Sequence, residues 1–506
     1  MYIWAFKKEP LSSSTYLGML EDIFAHLEKE GVQLSSIING AAVRSPLPPI
    51  PKINPATGAI IASVEPASPE MLDDAVRYAT AAQKDWAARA AHERTEILNN
   101  VARLITAHID VLSRLEVRDV GKLYSEAVSA DVPSGAESFA FFAAACATAH
   151  GTSHRWPDAI AYTERVPLGV CAGIGAWNYP IQIASWKAAP ALSAGNAFIL
   201  KPSEETPLTA NALAAICREA GMPDGLFQVL HGDHVIGQAI CAHHSIDKVS
   251  LTGGLDTGKL IVAQSAESLK KVTLELGGKA PLLVFADADF DLAVQLALDA
   301  NFYTAGEVCS NATRVFVEDS IADKFIQAVT ARASEMQVGD PMSPDIQMGA
   351  IVSEEHLMKV LGDVAVAQEQ GATVATGGTR LQPHGVEGGY YMAPTVLTGC
   401  TDEMACVTDE IFGPVMSILR FTDEAEAVQR ANDTHYGLGA GIVTRDLTRA
   451  HRVAGQLEAG NIWVNSYNLI PPGLPFGGSK QSGMGREGSL YALESYTEVK
   501  ATYIQL

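Results

Sequence analysis

Short apolar runs and helical stretches alternate along the middle of the chain, from Val166 onward. Five of the runs have the length and composition of buried strands, and helical stretches of about 10 to 15 residues separate them. These runs are Gly169–Gly175, Ala197–Lys201, Leu226–Leu230, Lys248–Leu251 and Val272–Leu276. Repeated strand–helix units of this length predict a parallel sheet with helices on both faces. Such sheets commonly bind nucleotides at the carboxyl ends of their strands.

A second block of strands and helices runs from Pro281 to about Val464. Its first units are a strand at Leu282–Phe285, a helix at Phe290–Ala305, a strand at Arg314–Val317 and a helix at Ile321–Met336. No break in composition separates the two blocks. We therefore predict two interlocked α/β lobes rather than independent domains on a linker.

The chain ahead of these lobes is predicted to be helical. Residues 1–36 form an N-terminal extension whose helix ends near Gly31. Its apolar residues at helical spacing are Tyr16, Leu20, Ile23, Phe24 and Leu27. We interpret the extension as an arm packed on its own protein rather than as a partner-binding helix. Ser68 and Pro69 begin a further helix, because serine suits an N-cap and proline the first helical position.

The composition is that of a globular protein and excludes several partners. Of the 506 residues, 47% are hydrophobic and 19% are charged, which is typical of folded chains. The formal net charge of −22 disfavours nucleic acid and anionic lipid as partners. The longest apolar stretch, Phe139–Ala149, is too short to span a bilayer, and the first residues show no signal-peptide core. Seven cysteines without a CxxC pair indicate reduced thiols and a cytoplasmic location.

Two glycine turns bear on nucleotide binding. Gly173–Gly175 follows the first strand but does not continue as GxGxxG. The turn from Gly253 to Leu260 matches the P-loop spacing GxxxxGK, which leaves an NTPase as an alternative. Leu260, however, stands where a P-loop has the hydroxyl that holds magnesium. Glu204, at the end of the second strand, suits hydrogen bonds to ribose hydroxyls, although a capped surface turn would also explain it.

Three residues have surroundings that suit catalysis. Cys309 stands where an apolar helix gives way to small polar residues, the partly open and electropositive setting of a thiolate nucleophile; an inert thiol is the alternative. Glu275 lies between two leucines, where burial would raise its pKa toward that of a general base, unless the side chain reaches solvent. Asn178, between a strand and a helix, would donate to an oxyanion or merely cap the helix.

Five motifs together resemble those of the NAD(P)-dependent aldehyde dehydrogenase superfamily in order and spacing. They are Trp177-Asn178, Leu274–Lys279 (LELGGK), Gly306–Arg314 (GEVCSNATR), Glu410–Pro414 and Pro475–Gly478. The resemblance extends from about residue 37 to the C-terminus. Stretches such as 173–191 and 410–419 are most similar to the betaine-aldehyde and trimethylaminobutyraldehyde dehydrogenases.

The resemblance implies that an aldehyde is oxidised to a carboxylic acid by NAD, with NADP as the second choice. Cys309 would form a thiohemiacetal and then a thioester. Asn178 would stabilise the oxyanion, and Glu275 would activate the water that hydrolyses the thioester. Lys187 and Glu487 would form a proton-relaying pair near this base. A non-catalytic protein on the same fold is the remote alternative.

The resemblance also implies the binding residues. The cofactor set is Lys201, Ser203 and Glu204 near the adenine ribose, Gly253, Gly254 and Gly258 near the pyrophosphate, and Trp177, Glu410 and Phe412 near the nicotinamide ribose and ring. No metal cofactor is predicted. Two positions depart from the common pattern, since Gly254 replaces a serine and Glu307 a glutamine.

The predicted substrate pocket is aromatic. Its residues are Tyr179, Trp186, Tyr303 and Phe476. Aromatic faces attract quaternary ammonium groups, so we expect a trimethylammonium or amino aldehyde, with neutral aldehydes as the alternative.

The family fold implies two Rossmann-like α/β lobes and a small β oligomerisation element. The expected divisions are an extension at 1–36, an NAD-binding domain at 37–148 and 168–277, a catalytic domain at 278–480, and the oligomerisation element at 149–167 and 481–506. The exposed strand edge of this element favours a homo-oligomer, either a dimer or a tetramer.

Overall fold

The computed structural model describes residues 13–506, with side chains from residue 20 onward. In chain order, the strands are Val32–Leu34 (β1), Ser36–Ile38 (β2), Ala41–Val43 (β3), Ile50–Ile53 (β4), Ile60–Val64 (β5), Ser153–Trp156 (β6), Ala159–Pro167 (β7), Val170–Ile174 (β8), Ala197–Lys201 (β9), Phe227–Val229 (β10), Lys248–Thr252 (β11), Lys271–Glu275 (β12), Pro281–Val284 (β13), Arg314–Glu318 (β14), Thr373–Thr376 (β15), Arg380–Leu381 (β16), Tyr391–Met392 (β17), Thr395–Thr398 (β18), Val415–Phe421 (β19), Gly439–Val443 (β20), Asn461–Val464 (β21), Gly483–Met484 (β22) and Thr497–Gln505 (β23).

The α-helices are Ser13–Leu27 (α1), Pro69–Ala88 (α2), Ala91–Ala107 (α3), Ile109–Val120 (α4), Tyr124–Glu126 (α5), Val132–Ala145 (α6), Pro180–Ser193 (α7), Leu208–Glu219 (α8), His234–Ala242 (α9), Leu255–Ser265 (α10), Phe290–Phe302 (α11), Asp319–Glu335 (α12), Glu354–Glu369 (α13), Ala405–Thr408 (α14), Glu424–Asn432 (α15), Leu447–Ala454 (α16) and Leu490–Ser495 (α17). None of the helices described between residues 13 and 506 is long and apolar enough to cross a membrane.

An eight-stranded sheet builds the first lobe, in the order β22-β12-β11-β8-β9-β10-β2-β3. Strands β8 to β12 are parallel and match the five predicted runs to within one residue at each end. They are apolar because both faces are covered; β8 and β9 are buried at every residue. Strand β8 lies between β9 and β11, so the strand order reverses there. In open α/β sheets, ligands bind in the crevice at such a reversal.

A seven-stranded sheet builds the second lobe, in the order β15-β18-β19-β14-β13-β20-β21. It is parallel except at its edge, where β15 runs antiparallel to β18. The strands and helices predicted between residues 282 and 336 are present. The helix predicted at Phe290–Ala305 ends earlier, at Phe302, because Thr304 and Ala305 have left-handed backbone conformations.

A small antiparallel sheet of β23, β7 and β6 lies outside the two lobes. Strands β7 and β23 pair over nine residues, and β6 is exposed along its whole length. Apolar side chains on this sheet that face solvent include Trp156, Val499 and Tyr503. An exposed edge of this kind is a template for pairing with another chain. Association through this element stays a prediction.

The N-terminal helix α1 packs on α8. Leu20, Phe24 and Leu27 are buried in the core of the first lobe, in agreement with an arm packed on its own protein. The predicted contact of Tyr16 concerns a side chain outside those that the structure describes. Within the predicted extension, β1 pairs with β5. Strand β2, which begins at Ser36, the last residue of the extension, pairs with β10. The last residues of the extension therefore belong to the sheets.

Two buried carboxyl groups of α4 cap helices that follow much later in the chain. Glu116 Oε1 accepts the Ile181 N–H at 2.7 Å, at the start of α7. Asp119 Oδ2 accepts the Leu208 N–H at 2.8 Å, at the start of α8. Carboxylates are favourable at helix N-termini, where backbone N–H groups lack partners. These bonds therefore fix the positions of α7 and α8 in the first lobe.

A buried ion pair lies close to Glu116. Lys122 Nζ and Asp131 Oδ2 are in contact, and both side chains are fully buried. The Lys122 ammonium also lies 3.6 Å from the centre of the Tyr179 ring. Burial raises the pKa of Asp131 and raises that of Glu126 to about 7, and Lys122 opposes both shifts. One cation thus stabilises several buried carboxyl groups.

Replacing Lys122 with Met should destabilise the protein strongly, because Asp131 would then be buried without its cation. Breaking such a pair typically costs about 3–5 kcal/mol, and a lower midpoint in thermal or denaturant unfolding would measure it. Lys84 is exposed, so Lys84→Met is the matched control and should leave the midpoint unchanged. A Lys122→Met midpoint equal to that of the unsubstituted protein would contradict this account.

Candidate active site

Asn178 connects the first lobe to the second. It is buried in the turn between β8 and α7, and its Nδ2 donates to the Glu307 carbonyl at 2.9 Å. Its side chain does not cap α7, since the Glu116 carboxylate does so, and the alternative of a helix cap is therefore wrong. A side-chain amide carries two hydrogens, so one remains for an oxygen near Cys309, two residues beyond Glu307.

Cys309 follows a strained segment of backbone. Thr304 and Ala305 both have φ of 49° and Gly306 has φ of 75°. Left-handed conformations of non-glycine residues cost of order 1–3 kcal/mol each and cluster at functional sites. A Cβ at Gly306 would lie 2.2 Å from the Gly413 carbonyl group, so only glycine lets the loop pass at this point. The loop leaves the Cys309 side chain half-buried.

The charges near Cys309 differ from the prediction. The pKa of the Cys309 thiol is raised to about 12. Burial is the largest cause, and the carboxylates of Glu275 and Glu410 add to it. The expected electropositive setting is therefore wrong, although the partly open position is confirmed. A thiol with this pKa is protonated at neutral pH. It needs a base to remove its proton when it acts as a nucleophile.

The Glu275 carboxyl is buried at the end of β12. Among residues 13–506, no hydrogen bond of ordinary geometry reaches either of its oxygens. Burial raises the pKa of Glu275 well above its usual range, and the nearby Glu487 carboxylate raises it further. The cations Lys187 and Arg486 and the Gly478 amide lower this pKa, but by less. The predicted rise in pKa is confirmed, and the side chain does not reach solvent. A carboxyl group with a raised pKa suits general base catalysis.

Lys187, Ser250 and Glu487 form a buried network next to Glu275. Lys187 Nζ on α7 pairs with Glu487 Oε1 and donates to Ser250 Oγ at 3.0 Å. Ser250 Oγ in turn donates to Glu487 Oε1 at 3.2 Å. The structure thus brings the predicted pair together and adds Ser250, which the sequence analysis missed. Its signal was a serine between Val249 and Leu251 in a strand predicted to be buried, where a polar side chain needs a hydrogen-bond partner.

The predicted cofactor residues of the first lobe lie along one edge of its sheet, where the parallel strands β8, β9 and β11 end. Lys201 Nζ and Glu204 Oε2 pair at 2.9 Å. Ser203 is also buried, and its hydroxyl accepts the Glu205 N–H at 3.3 Å. A cation, a hydroxyl and carboxylates are therefore close together at the end of β9.

The glycine turn after β11 leaves open space at the start of α10. Gly254 is the N-cap of this helix, and a Cβ there would have no atom within 4 Å. Unpaired N–H groups at a helix N-terminus favour an anion such as phosphate. Gly258 serves close packing, because a Cβ there would lie 2.8 Å from Leu276. Its contact with a cofactor stays a prediction.

Glu410 and Phe412 reach the same region from the second lobe. Glu410 Oε1 accepts the Gly278 N–H at 2.9 Å, and burial raises the pKa of Glu410 to about 7. A Cβ at Gly277 would overlap the Glu410 carboxylate, and a Cβ at Gly278 would lie 2.9 Å from the Cys309 carbonyl oxygen, which explains both glycines of LELGGK. Phe412 has a left-handed φ of 59°, and its ring lies edge-on to Trp177 with centroids 5.2 Å apart.

The four predicted substrate-binding aromatic residues fall into two pairs. Trp186 and Phe476 are buried and edge-on, with ring centroids 5.6 Å apart. Tyr179 and Tyr303 are half-buried and close enough that, after burial, Tyr303 contributes to the raised pKa of Tyr179. The Tyr179 hydroxyl also forms a hydrogen bond with Thr304 Oγ1 at 3.0 Å.

Comparison with known proteins identifies the family. The family model described as "Aldehyde dehydrogenase family" matches residues 43–502. This chain belongs to the aldehyde dehydrogenase family. A betaine aldehyde dehydrogenase of Vibrio vulnificus is 49% identical over 455 residues, which cover 90% of this chain and 94% of that protein. A betaine aldehyde dehydrogenase of Mesorhizobium japonicum is 48% identical over 457 residues, with the same shares covered.

Solved aldehyde dehydrogenases have the same fold. The NAD+ complex of the Bacillus cereus aldehyde dehydrogenase superposes with a TM-score of 0.92 at 38% identity, and covers 98% of this chain and 99% of its own. Betaine aldehyde dehydrogenase from Staphylococcus aureus in complex with NAD+ gives a TM-score of 0.92 at 35% identity, with 97% of each chain covered. These comparisons confirm the family and the α/β fold class predicted from the sequence. They give no support to the NTPase alternative.

The structure shows the contacts of two further groups in this aldehyde dehydrogenase site, Glu307 and His356. Glu307 Oε1 accepts the Val352 N–H at 3.0 Å, while Oε2 is buried without a partner in the described part of the chain. His356 Nε2 lies 2.6 Å from the Phe412 carbonyl oxygen, and its ring contacts Trp177. The sequence marks Glu307 only as a departure from the family, and nothing in it distinguishes His356 from the other histidines.

Replacing Glu487 with Gln should extend aldehyde dehydrogenase activity to lower pH. The Glu487 carboxylate raises the pKa of Glu275, and Lys187, released from its partner, would lower it further. If the reaction needs ionised Glu275, activity is lost as the pH falls through this pKa. The acidic limb of the pH–rate profile should therefore move down, by about one unit.

Initial rates across the pH range measure this shift. Glu494→Gln is the matched control, because Glu494 is an exposed carboxylate paired with Arg165. An acidic limb that stays in place in Glu487→Gln would show that the Glu487 charge does not set the pKa of the working base.

Proposed function

We propose that this protein oxidises an aldehyde to a carboxylic acid with NAD, through a thioester on Cys309. The observation that carries the proposal is the meeting of three groups from distant parts of the chain. They are the half-buried Cys309 thiol, the Asn178 amide bonded beside it, and the buried Glu275 carboxyl whose charge acts on that thiol. The relatives named betaine aldehyde dehydrogenase support the same reaction class.

The residues at the sheet edge fit NAD. The open N-terminus of α10 at Gly254 suits the pyrophosphate. Lys201 and Glu204 would hold the adenine ribose, and the carboxylate there disfavours the 2′-phosphate of NADP. Glu410 and Phe412 would hold the nicotinamide half. Bound NAD+ would supply the hydride acceptor, and solved family members in complex with NAD+ support this choice.

The protein's own groups then account for the attack on the aldehyde. The Cys309 thiol, with a pKa near 12, must lose its proton as its sulfur bonds to the aldehyde carbon. Glu275 is the nearby base with a raised pKa, and it would accept this proton. Negative charge develops on the aldehyde oxygen, where the second hydrogen of the Asn178 amide would stabilise it. One such donor is typically worth about 3–4 kcal/mol.

The same residues account for hydrolysis. Once oxidation has left a thioester on Cys309, Glu275 would take a proton from the water that attacks the thioester carbon. The carbon–sulfur bond breaks, the carboxylic acid leaves, and the sulfur takes the water's proton back from Glu275. Before hydrolysis, Glu275 must lose the proton that it took from the thiol. The adjoining network of Lys187, Ser250 and Glu487, whose members are joined by hydrogen bonds, would receive that proton.

We propose a trimethylammonium or amino aldehyde as the substrate, such as betaine aldehyde or trimethylaminobutyraldehyde. The aromatic pair Trp186 and Phe476 supports this, because aromatic faces attract such cations. The carboxylates of Glu126 and Asp131 act on Tyr303, and their negative charge is opposite to that of a substrate ammonium group. A neutral aldehyde is the second candidate, since the Lys122 ammonium against the Tyr179 ring would repel a substrate cation.

We also propose a cytoplasmic homo-oligomer, either a dimer or a tetramer. The exposed apolar side chains on the sheet of β6, β7 and β23 support association through that sheet. Seven cysteines without a disulfide support a reducing location.

Initial rates of NADH formation test the reaction and the substrate class together. Trimethylaminobutyraldehyde, betaine aldehyde and propanal are compared, with Cys309→Ala as the inactive control and Cys146→Ala as a matched cysteine control. We expect kcat/KM to be about tenfold higher for one of the charged aldehydes, because several aromatic contacts of ~0.5–2 kcal/mol add. If neither NAD nor NADP is reduced with any of these aldehydes, the proposed function is wrong.

Replacing Trp186 with Ala should raise KM more for the trimethylammonium aldehyde than for propanal, because only the cation loses an electrostatic contact with the ring. KM for both substrates is the measurement, and Trp186→Phe, which keeps an aromatic face, should restore most of the preference. Equal increases in KM would mean that Trp186 is only an apolar wall.

A further inference from the structure

The second lobe contains a cysteine pair that the proposed mechanism does not use. Cys400 follows β18 and Cys406 lies in α14, and their Sγ atoms are 3.9 Å apart. Cys406 is buried, while Cys400 is half-buried and more accessible. All seven cysteines belong to the described residues, and no other two thiols among them lie within hydrogen-bond distance of each other.

The surroundings of this pair favour a thiolate. The hydrogen bond from the Cys400 thiol lowers the pKa of Cys406 to about 6, and the Lys279 ammonium acts in the same direction. Lys279 Nζ is buried and has no hydrogen-bond partner among residues 13–506. The same hydrogen bond raises the pKa of Cys400, so the negative charge lies on the Cys406 sulfur. Thiolates, not thiols, react with oxidants.

The pair also lies at the base of the segment that carries Glu410. Helix α14 ends two residues before Glu410, and the Cys406 carbonyl is held by Ser417 Oγ of β19 at 2.9 Å. Between the two cysteines, Asp402 accepts two hydrogen bonds from Arg430, at 2.7 and 3.0 Å. A disulfide would bring the sulfur atoms to about 2 Å. The turn and α14 would have to absorb this change.

We propose that Cys400 and Cys406 form a reversible disulfide that acts as a redox switch on cofactor binding. The cofactor part of this statement rests on the proposed function, whereas the disulfide itself does not. The oxidant is a hydroperoxide, of which hydrogen peroxide is the simplest.

The reaction takes place in two balanced steps. The Cys406 thiolate attacks one peroxide oxygen, so that a sulfur–oxygen bond forms, the oxygen–oxygen bond breaks, and the departing hydroxide takes a proton to become water. The Cys400 sulfur then attacks the Cys406 sulfur and gives up its proton, so that the disulfide forms and the second hydroxide leaves as water. Two thiols have lost two electrons and two protons, and peroxide has become two waters. A dithiol reductant reverses the process.

The test uses the full chain with Cys309→Ser, so that oxidation of the proposed nucleophile does not interfere. After treatment with hydrogen peroxide, the remaining thiols are alkylated and the digest is analysed by mass spectrometry. We expect the peptides of Cys400 and Cys406 to be joined, with neither thiol alkylated. The Kd for NADH, measured by fluorescence titration, should rise about fivefold or more and recover with dithiothreitol. The further substitutions Cys400→Ser and Cys406→Ser, each made separately, should abolish both effects.

Three outcomes would overturn parts of this proposal. Two alkylated thiols after peroxide treatment would disprove the disulfide. A disulfide with an unchanged Kd for NADH would disprove the switch. A reduced protein that binds no NADH would overturn the proposed function and the switch with it, while the mass measurement would still decide whether the disulfide forms.

Discussion

The hydrogen bond from the Asn178 amide to the Glu307 carbonyl joins the turn after β8 to the loop that carries Cys309. Neither lobe contains a complete site, because the amide and Glu275 come from the first sheet and the thiol from the second. The strained backbone before Cys309 is tolerable only because packed neighbours hold it on both sides. The active site is therefore a property of the contact between lobes. A change that alters how the lobes meet would disturb it without touching a functional side chain.

The strands and the family motifs could be predicted from the sequence because their causes are local. A strand buried on both faces is mostly apolar, and Ser68 caps α2 by accepting the Met71 N–H, as expected. The charges around Cys309 could not be predicted, since Glu410 is about 100 residues away in sequence and reaches the thiol only through the fold. The left-handed Thr304 and the role of Ser250 were missed for the same reason.

The interior of this protein contains an unusual number of ionisable groups, and they are not equivalent. The ion pair of Lys122 with Asp131 and the helix caps on α4 hold elements in place, and each of these carboxyl groups has one oxygen in a fixed hydrogen bond. Within the part of the chain that the structure describes, neither oxygen of Glu275 has such a partner, so it is free to exchange a proton. Burial raises the pKa in both settings, and it is the hydrogen bonding that separates a structural carboxyl group from one that can act as a base.

The outer neighbour of β12 in the first sheet is β22, which pairs with it antiparallel and lies about 200 residues later in the chain. During synthesis at about 5–20 residues per second, the β12 edge would stay uncovered for roughly 10–40 s after it leaves the ribosome. Its alternation of Lys271, Thr273 and Glu275 with apolar residues limits how readily another nascent chain could pair with it. The residue at the end of this uncovered strand is Glu275, the carboxyl group proposed as the base, so its surroundings are completed only after β22 has been made.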